Sequence, residues 1–105
     1  MEIIKRKSGL FDIKISNQAI GCGSMIEDDS GCYLERIDID LQHRGKGYGT
    51  QALHQLRNIY GSYYLAPDNA DAKRLYDRIC DKMDFDTYSR FGFAIDQGFG
   101  VYVMD

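Results

Sequence analysis

The residues with the clearest potential for chemistry are three glycines in a five-residue stretch, accompanied by two cations. Gly45, Gly47 and Gly49 follow an alternating apolar segment and precede a segment with helical spacing. Glycines have no side chains to block a ligand, and the first N–H groups of a helix have no partners within that helix. A diphosphate could therefore bind to these amides, with Arg44 and Lys46 adding positive charge.

The glycine spacing differs from that of two well-known nucleotide-binding motifs. A dinucleotide fingerprint requires two residues between its second and third glycines, whereas only Tyr48 separates Gly47 from Gly49. The sequence also lacks the Gly-Lys-Ser/Thr ending of a P-loop. The alternative interpretation of the three glycines is an ordinary tight turn that binds nothing.

The loop instead resembles the acetyl-coenzyme A signature of the GNAT superfamily of N-acetyltransferases, and in this sequence that signature is Arg44-x-x-Gly47-x-Gly49. In that superfamily the loop amides hold the diphosphate, and the preceding strand splays from its neighbour to admit the pantetheine arm. The resemblance implies that the cofactor is held by the strand end, the loop, the start of the next helix and a downstream motif, at Ile39, Leu41, Arg44, Gly45, Lys46, Gly47, Tyr48, Gly49, Thr50, Asn69 and Ala72.

The downstream motif is the second match to the superfamily. Residues 69–76 resemble its Asn-x-x-Ala-x-x-Leu-Tyr helix, with all four residues at the expected offsets. By this match Tyr76 lies near the cofactor sulfur and donates a proton to the thiolate, and the alternative for Tyr76 is a core residue. Asn69 contacts the cofactor arm by the same match, and its alternative is a helix cap. The resemblance covers roughly residues 11–105, but only the two motifs are specific.

A strand and a helix must position the loop. Ile37, Ile39 and Leu41 alternate with polar residues, which predicts a half-buried strand before the loop. After it, apolar residues at three-and-four spacing predict an amphipathic helix over residues 48–60, with its apolar face at Tyr48, Ala52, Leu53, Leu56, Ile59 and Tyr60.

Attack of an amine on a thioester also needs a base and a group to stabilise the oxyanion. Backbone N–H groups around residues 39–41 could serve the carbonyl oxygen. Glu35 and Asp38 are the candidate bases, with Asp40 as a further carboxylate, and Glu35 is expected on the opposite strand face from the other two. Taken alone, each of them fits a solvated strand residue better than a base. His43 could titrate near neutrality, but we interpret it as an exposed turn residue.

Three short strands are predicted before this unit, around residues 3–4, 11–15 and 20–26. Gly21 and Gly23 interrupt the third and indicate a bulge or a close backbone approach. After the helix, residues 63–66 predict a buried strand parallel to the first across a right-handed crossover.

The last third of the chain is predicted as a second helix and a hairpin. Asp68 or Asn69 caps the helix, whose apolar face extends to Met83. A polar connection over residues 83–90 leads to a hairpin of residues 91–95 and 99–104. The predicted fold class is therefore α/β (α+β), a GNAT-like mixed and mostly antiparallel sheet of about six to seven strands with two main helices, in a single domain over residues 1–105.

Composition excludes several other classes of protein. The net charge of -3 argues against nucleic-acid binding. No apolar run has the length of a membrane span, and residues 1–7 do not have the pattern of a signal peptide. Three cysteines without a Cys-x-x-Cys pair indicate reduced thiols and a cytoplasmic location, and neither His43 nor His54 is spaced with them like a zinc site, so no metal is expected.

The resemblance implies an N-acetyltransferase that uses acetyl-coenzyme A. Members of the superfamily place one or two helices between their first two strands, which help to wall the acceptor pocket, whereas only residues 7–10 stand there in this chain. An open acceptor side favours a protein lysine, an N-terminus or another bulky primary amine. The alternative is a noncatalytic module that binds acetyl-coenzyme A or a protein partner. The oligomeric state and the identity of the acceptor are not predicted.

Overall fold

A computed structural model describes residues 1–29, 31–84 and 98–105, and these residues form one sheet and two α-helices. In chain order the elements are β1 (Glu2–Lys5), β2 (Leu10–Ile15), β3 (Gln18–Asp28), β4 (Gly31–Ile39), α1 (Tyr48–Tyr60), β5 (Tyr63–Leu65), α2 (Ala70–Ile79), β6 (Asp81–Lys82) and β7 (Tyr102–Met104). None of the described helices combines the length and the apolar character needed to cross a membrane.

The seven described strands lie in the order β1-β2-β3-β4-β5-β7-β6. Neighbouring strands are antiparallel except for β4 and β5, which are parallel and joined by α1. This arrangement confirms the predicted mixed, mostly antiparallel sheet with two main helices. It also confirms the three N-terminal strands and the parallel strand after α1.

The glycines of β3 allow a close approach to β4. A Cβ atom at Gly21 would lie 2.3 Å from the carbonyl oxygen of Asp38, and one at Gly23 would lie 2.3 Å from that of Arg36. No larger residue fits at either position unless the backbone moves. The close approach predicted from the two glycines is confirmed, and it fixes the half of β4 that leads into the loop.

A bulge interrupts the pairing of β3 with β4. Ser24 pairs with Arg36 and Met25 pairs with Leu34, so Glu35 is an extra residue on β4. Leu34 is also the last residue of β4 that pairs with β5, where its partner is Leu65. Beyond the bulge β4 no longer pairs with β5, which ends at Leu65.

Helix α1 has the predicted bounds, and its buried residues are Ala52, Leu53 and Leu56. Ile59 was predicted on the buried face but is 41% exposed. The last turn presents Tyr60 to the sheet instead, and the ammonium group of Lys5 lies 4.6 Å from the centre of the Tyr60 ring. The Tyr63 hydroxyl donates to the carbonyl oxygen of Leu53 at 2.7 Å, which ties β5 to α1.

Helices α1 and α2 pack on the same face of the sheet. Tyr63, which bonds to α1, pairs with Met104 across β5 and β7, and paired side chains share a face. The Cys80 thiol at the end of α2 contacts the Met104 sulfur at 3.8 Å. The core lies between this face and the helices, with fully buried side chains at Phe11, Ile13, Leu53, Leu56, Tyr63, Leu65 and Tyr102.

The prediction that α2 extends to Met83 is wrong, because the helix ends at Ile79. Cys80 has extended backbone angles, and Asp81 and Lys82 form β6 by pairing with Val103 and Tyr102 of β7. A free strand edge thus stabilises an extended chain where the local pattern favoured a helix.

The prediction that Leu41 continues the strand is also wrong. β4 ends at Ile39, and Leu41–His43 form a 3-10 turn in which the Leu41 side chain is 76% exposed. The turn is closed by the His43 N–H, which donates to the carbonyl oxygen of Asp40 at 2.8 Å.

The predicted C-terminal hairpin is described only in part. Its second strand is observed over Tyr102–Met104, shorter than the predicted residues 99–104, and it lies between β5 and β6. Its predicted partner, residues 91–95, and most of the polar connection over residues 83–90 lie outside the described residues.

Candidate functional site

A cleft of about 480 Å³ lies between the end of β4, the glycine loop and the first turns of both helices. Most of the predicted site residues line it, namely Asp38, Ile39, Arg44, Gly45, Gly47, Tyr48, Gly49, Thr50, Asn69, Ala72 and Tyr76. Glu35, Leu41 and Lys46 do not line it. Both sequence motifs therefore meet at one cleft, although nineteen residues separate them in the chain.

The loop has the geometry of an anion cradle. Gly45 and Gly47 have φ angles of +78° and +80°, and a Cβ atom at either position would have no neighbour within 4 Å. The positive φ favours glycine, and the space in front of the loop is open to a ligand. Gly49 differs, since its Cβ would make an ordinary contact of 3.6 Å with Leu75 of α2.

The N-terminus of α1 completes the cradle. Its cap residue is Gly47, which makes no side-chain cap hydrogen bond. The Gln51 N–H donates to the Gly47 carbonyl oxygen at 3.1 Å, so the amides of Tyr48, Gly49 and Thr50 precede the first intrahelical bond. These amides and the positive end of the helix dipole favour a bound anion.

The two cations of the loop have different positions. The Arg44 Nε donates to the carbonyl oxygen of Ile39 at 2.8 Å, which fastens the loop to the end of β4 while Arg44 also lines the cleft. Lys46 is exposed and lies outside the cleft lining. Arg44 is thus placed to contact an anion, and Lys46 adds only to the local positive potential.

Asn69 is the N-cap of α2. Its side-chain oxygen accepts from the Ala72 N–H at 2.8 Å, and its amide nitrogen donates to the Asp68 carboxylate at 2.9 Å. The sequence left a cap and a cofactor contact as alternatives for Asn69. The structure shows the cap and places the same residue in the cleft wall.

Tyr76 is both a core residue and a cleft residue. It is 6% exposed, lines the cleft, and its ring meets that of Tyr102 edge-on with centroids 5.9 Å apart. Burial raises the pKa of the Tyr76 hydroxyl, and the nearby Cys80, Asp68 and Tyr33 raise it further. The phenol therefore keeps its proton at neutral pH and is a donor to the cleft.

The bulge places the candidate carboxylates on one face of the sheet, so the prediction that Glu35 and Asp38 lie on opposite faces is wrong. The Ser24 hydroxyl donates to Glu35, and Ser24 shares its face with Cys22, the residue that pairs with Asp38.

Asp38 lines the cleft and forms an exposed ion pair with Arg36 at 3.5 Å. Glu35 lies outside the lining, at the point where β4 stops pairing with β5. The Asp40 N–H donates to the Ile20 carbonyl oxygen at 2.8 Å, so it is not available to the oxyanion for which it was proposed.

Sequence reasoning placed His43 at the surface, but the structure places it in the cleft wall. Its Nε2 atom is buried without a hydrogen-bond partner among the described residues, and its ring lies 6.4 Å from that of Tyr48. A buried polar atom with no partner fits a site completed by a ligand. The other cleft residues that the sequence reasoning did not assign to the site are Ile37, Leu53, Asp68, Asp71, Leu75 and Arg78.

Solved structures share the fold of this chain. A Bacillus subtilis N-acetyltransferase, YlbP, in complex with coenzyme A is 12% identical, with a TM-score of 0.64 over 91% of this chain and 66% of that one. An acetyltransferase of the GNAT family from Staphylococcus aureus Mu50 is 15% identical, with a TM-score of 0.64 over 90% and 65% of the two chains. A GNAT family acetyltransferase from Elizabethkingia anophelis with acetyl-CoA bound is 17% identical, with a TM-score of 0.61 over 91% and 74%.

The first two of these structures are longer than this chain, which spans about two thirds of their length. No curated protein matches the sequence. The family model described as the acetyltransferase (GNAT) family matches residues 2–81, which include both motifs and the whole cleft. The chain therefore belongs to the acetyltransferase (GNAT) family.

Proposed function

We propose that this protein transfers the acetyl group of acetyl-coenzyme A to a primary amine. The observation that carries the proposal is the convergence, on one cleft, of an anion cradle at the α1 N-terminus and a buried tyrosine that holds its proton. The cradle suits the diphosphate of a coenzyme A thioester, and the tyrosine suits a leaving thiolate.

The residues present fit acetyl-coenzyme A. The amides of residues 48–50 and the Arg44 guanidinium would hold the diphosphate, and the buried Nε2 of His43 would gain a partner in the same place. The part of the cleft between residues 37–39 of β4 and residues 68–69 would admit the pantetheine arm. Acetyl-coenzyme A supplies an activated acyl carbon, and the chain supplies the groups that move protons.

Each proton has a destination in this scheme. The acceptor ammonium ion loses one proton to a carboxylate of β4 and becomes a nucleophile. Tyr76 would give its phenol proton to the leaving sulfur as the C–S bond breaks, and it would receive a proton from the acceptor nitrogen as the C–N bond forms. The carboxylate then releases its proton to water, which leaves an amide, a free thiol and both side chains restored.

We propose a bulky acceptor, such as a lysine side chain or the N-terminus of another protein. The link between β1 and β2 is the short 3-10 turn Lys7–Gly9, so no helix stands there to enclose a small substrate. The described cysteines Cys22, Cys32 and Cys80 are free, which fits the cytoplasmic location that we propose.

A panel of acceptors tests the proposal. We expect release of free thiol from acetyl-coenzyme A with lysine peptides and peptides bearing a free N-terminus, and none with the same peptides after dimethylation of their amines. Thiol release that does not depend on a free amine would contradict amine acetylation.

A noncatalytic module that binds acetyl-coenzyme A is the second candidate function. The observation that favours it is the same short link between β1 and β2, which leaves no enclosed acceptor pocket on that side. Tight binding of acetyl-coenzyme A without transfer to any amine of the panel would support the module over the enzyme.

A further inference from the structure

Ser24 is a small polar residue that is buried in the sheet, with 6% of its surface exposed. Its hydroxyl donates to the Glu35 Oε1 at 2.9 Å. A buried hydroxyl requires a partner, and a hydrogen bond to a carboxylate is stronger than one between neutral groups. Ser24 therefore holds Glu35 in one place, although Glu35 itself is exposed.

The bulge in β4 aims the Glu35 side chain. Glu35 has no ladder partner on β3, because Ser24 pairs with Arg36 and Met25 pairs with Leu34. It is also the first residue beyond the last pairing of β4 with β5, between Leu34 and Leu65. Bulges commonly redirect a side chain next to an active site. Here the redirected residue is a carboxylate at the point where β4 stops pairing with β5.

Ser24 and Glu35 lie on the sheet face away from the helices. Leu65 shares its face with Tyr63, which bonds to α1, and the pairings of Leu65 with Leu34 and of Leu34 with Met25 extend that face to β3. Ser24 precedes Met25 and so points to the opposite face. Tyr76, on α2, lines the cleft from the helix face and contacts Tyr102.

The position of Glu35 along β4 fits the reacting end of acetyl-coenzyme A. Ile39 lines the cleft beside the loop, and Glu35 precedes it by four strand residues, which is about 13 Å. An arm that leaves the loop and follows β4 ends near the bulge. Asp38 lies closer to the loop and is paired with Arg36, so it is the less suitable carboxylate.

We propose that Ser24 is a positioning residue that holds Glu35 where it serves as the base for the acceptor amine. The inference rests on the proposed function and assigns its carboxylate. In the proton-transfer step, the N–H bond of the acceptor ammonium ion breaks and its proton forms an O–H bond with Glu35. The proton passes to water after the acetyl group has moved.

Paired substitutions at Ser24 separate its hydroxyl from its packing. Thr and Val have the same shape, so Ser24→Thr and Ser24→Val add the same volume and differ only in the hydroxyl. We expect kcat of the Val variant to be about tenfold below that of the Thr variant, the effect of one hydrogen bond to a charged group, with equal KM for acetyl-coenzyme A. Equal kcat values in the two variants would overturn the role of Ser24.

A double-mutant cycle tests whether Ser24 acts through Glu35. We expect Glu35→Gln to lower kcat about 100-fold, as for loss of a general base, and Glu27→Gln, the matched control at a glutamate of β3 that does not line the cleft, to change it less than threefold. In the Glu35→Gln protein the Thr and Val variants should have the same kcat. A persistent tenfold difference there, or a larger loss in Asp38→Asn than in Glu35→Gln, would contradict the proposal.

A readout without turnover separates this proposal from the proposed function. NMR relaxation of the labelled Glu35 side chain, in protein without ligand, should show an ordered carboxylate in the wild type and in Ser24→Thr and a mobile one in Ser24→Val. Equal mobility in all three would refute positioning by Ser24 even if acetyl transfer is observed. An ordered Glu35 in a protein that transfers no acetyl group would refute the proposed function, and with it the assignment of Glu35 as the base.

Discussion

Removal of the Tyr76 hydroxyl tests whether this side chain is the proton donor of the reaction. Burial holds its pKa above the ordinary value, so the phenol stays protonated and can serve a thiolate. We expect Tyr76→Phe to keep its affinity for acetyl-coenzyme A within about twofold and to lower kcat about 100-fold, the usual contribution of a general acid. Calorimetric titration and steady-state kinetics of the same preparations measure the two effects.

Tyr102→Phe is the matched control for Tyr76→Phe. Tyr102 is equally a buried tyrosine and contacts the Tyr76 ring, but its hydroxyl donates to the Asp77 carboxylate and it does not line the cleft. Loss of the Tyr102 hydroxyl should leave kcat unchanged. If both substitutions reduce kcat equally, the effect belongs to packing and Tyr76 returns to the core.

The sequence specified some residues of the site better than others. Tyr76 and Asn69 were found because a local motif fixes their offsets, and a helix converts those offsets into a common face. The contact between Ser24 and Glu35 was not predicted, because it depends on a bulge that changes the register of two strands. Leu41 was assigned to a strand by alternation alone, and the turn that ends β4 overrode that pattern.

The glycine loop and the helix after it form the element that binds the diphosphate in this account. Gly47→Glu places a side chain and a negative charge in the open cradle, so affinity for coenzyme A should fall at least tenfold, about 1.4 kcal/mol. Calorimetric titration with coenzyme A measures the loss.

Gly61→Glu provides the control for this loop substitution. Gly61, at the other end of α1, has a φ of +78° and open space around it, much as Gly47 does. A side chain costs about 1–2 kcal/mol at Gly47, whose ψ is 8°, and about 1–3 kcal/mol at Gly61, whose ψ of -164° lies in a region that essentially only glycine adopts, so the Gly61 variant should unfold at the lower urea concentration and still bind coenzyme A. Equal loss of coenzyme A affinity in both would mean that backbone strain, and not the blocked cradle, is responsible.

Helices and strands were predicted correctly from the sequence where local residue patterns determine them. The 3.6-residue period gave α1 its bounds, and the glycines of β3 indicated the close approach to β4. The end of α2 depends on pairing with β7, twenty residues further along the chain, which no local pattern contains. Ile59 is exposed for a related reason, because the position of Tyr60 is decided by a contact with Lys5 on β1.

For the whole molecule, buried thiols and phenols predict a loss of stability at alkaline pH. Burial is the main cause that raises the pKa of Cys32 to about 11 and that of Cys80 to about 12, from 9.0, and it also raises those of Tyr63 and Tyr76. A raised folded pKa gives stability that is complete below the unfolded value and is lost as the pH rises through the folded one. We expect the free energy of unfolding to be level from about pH 7 to 8.5 and to fall above about pH 9.

Urea unfolding followed by circular dichroism measures this dependence, and Cys80→Ala isolates one of the groups. The variant should lose stability at every pH through its missing contact with Met104, but its decline above pH 9 should be shallower. A parallel decline in both proteins would show that Cys80 does not titrate in this way.

The proposed function requires that this chain binds acetyl-coenzyme A in the cleft and passes the acetyl group to an amine. Calorimetric titration with acetyl-coenzyme A, followed by mass spectrometry of the same sample after addition of a peptide with one lysine, tests it most directly. We expect one bound molecule per chain and a peptide that gains one acetyl group on its amine as free coenzyme A appears. Absence of binding would contradict the assignment of the cleft, and binding without transfer would contradict the enzyme.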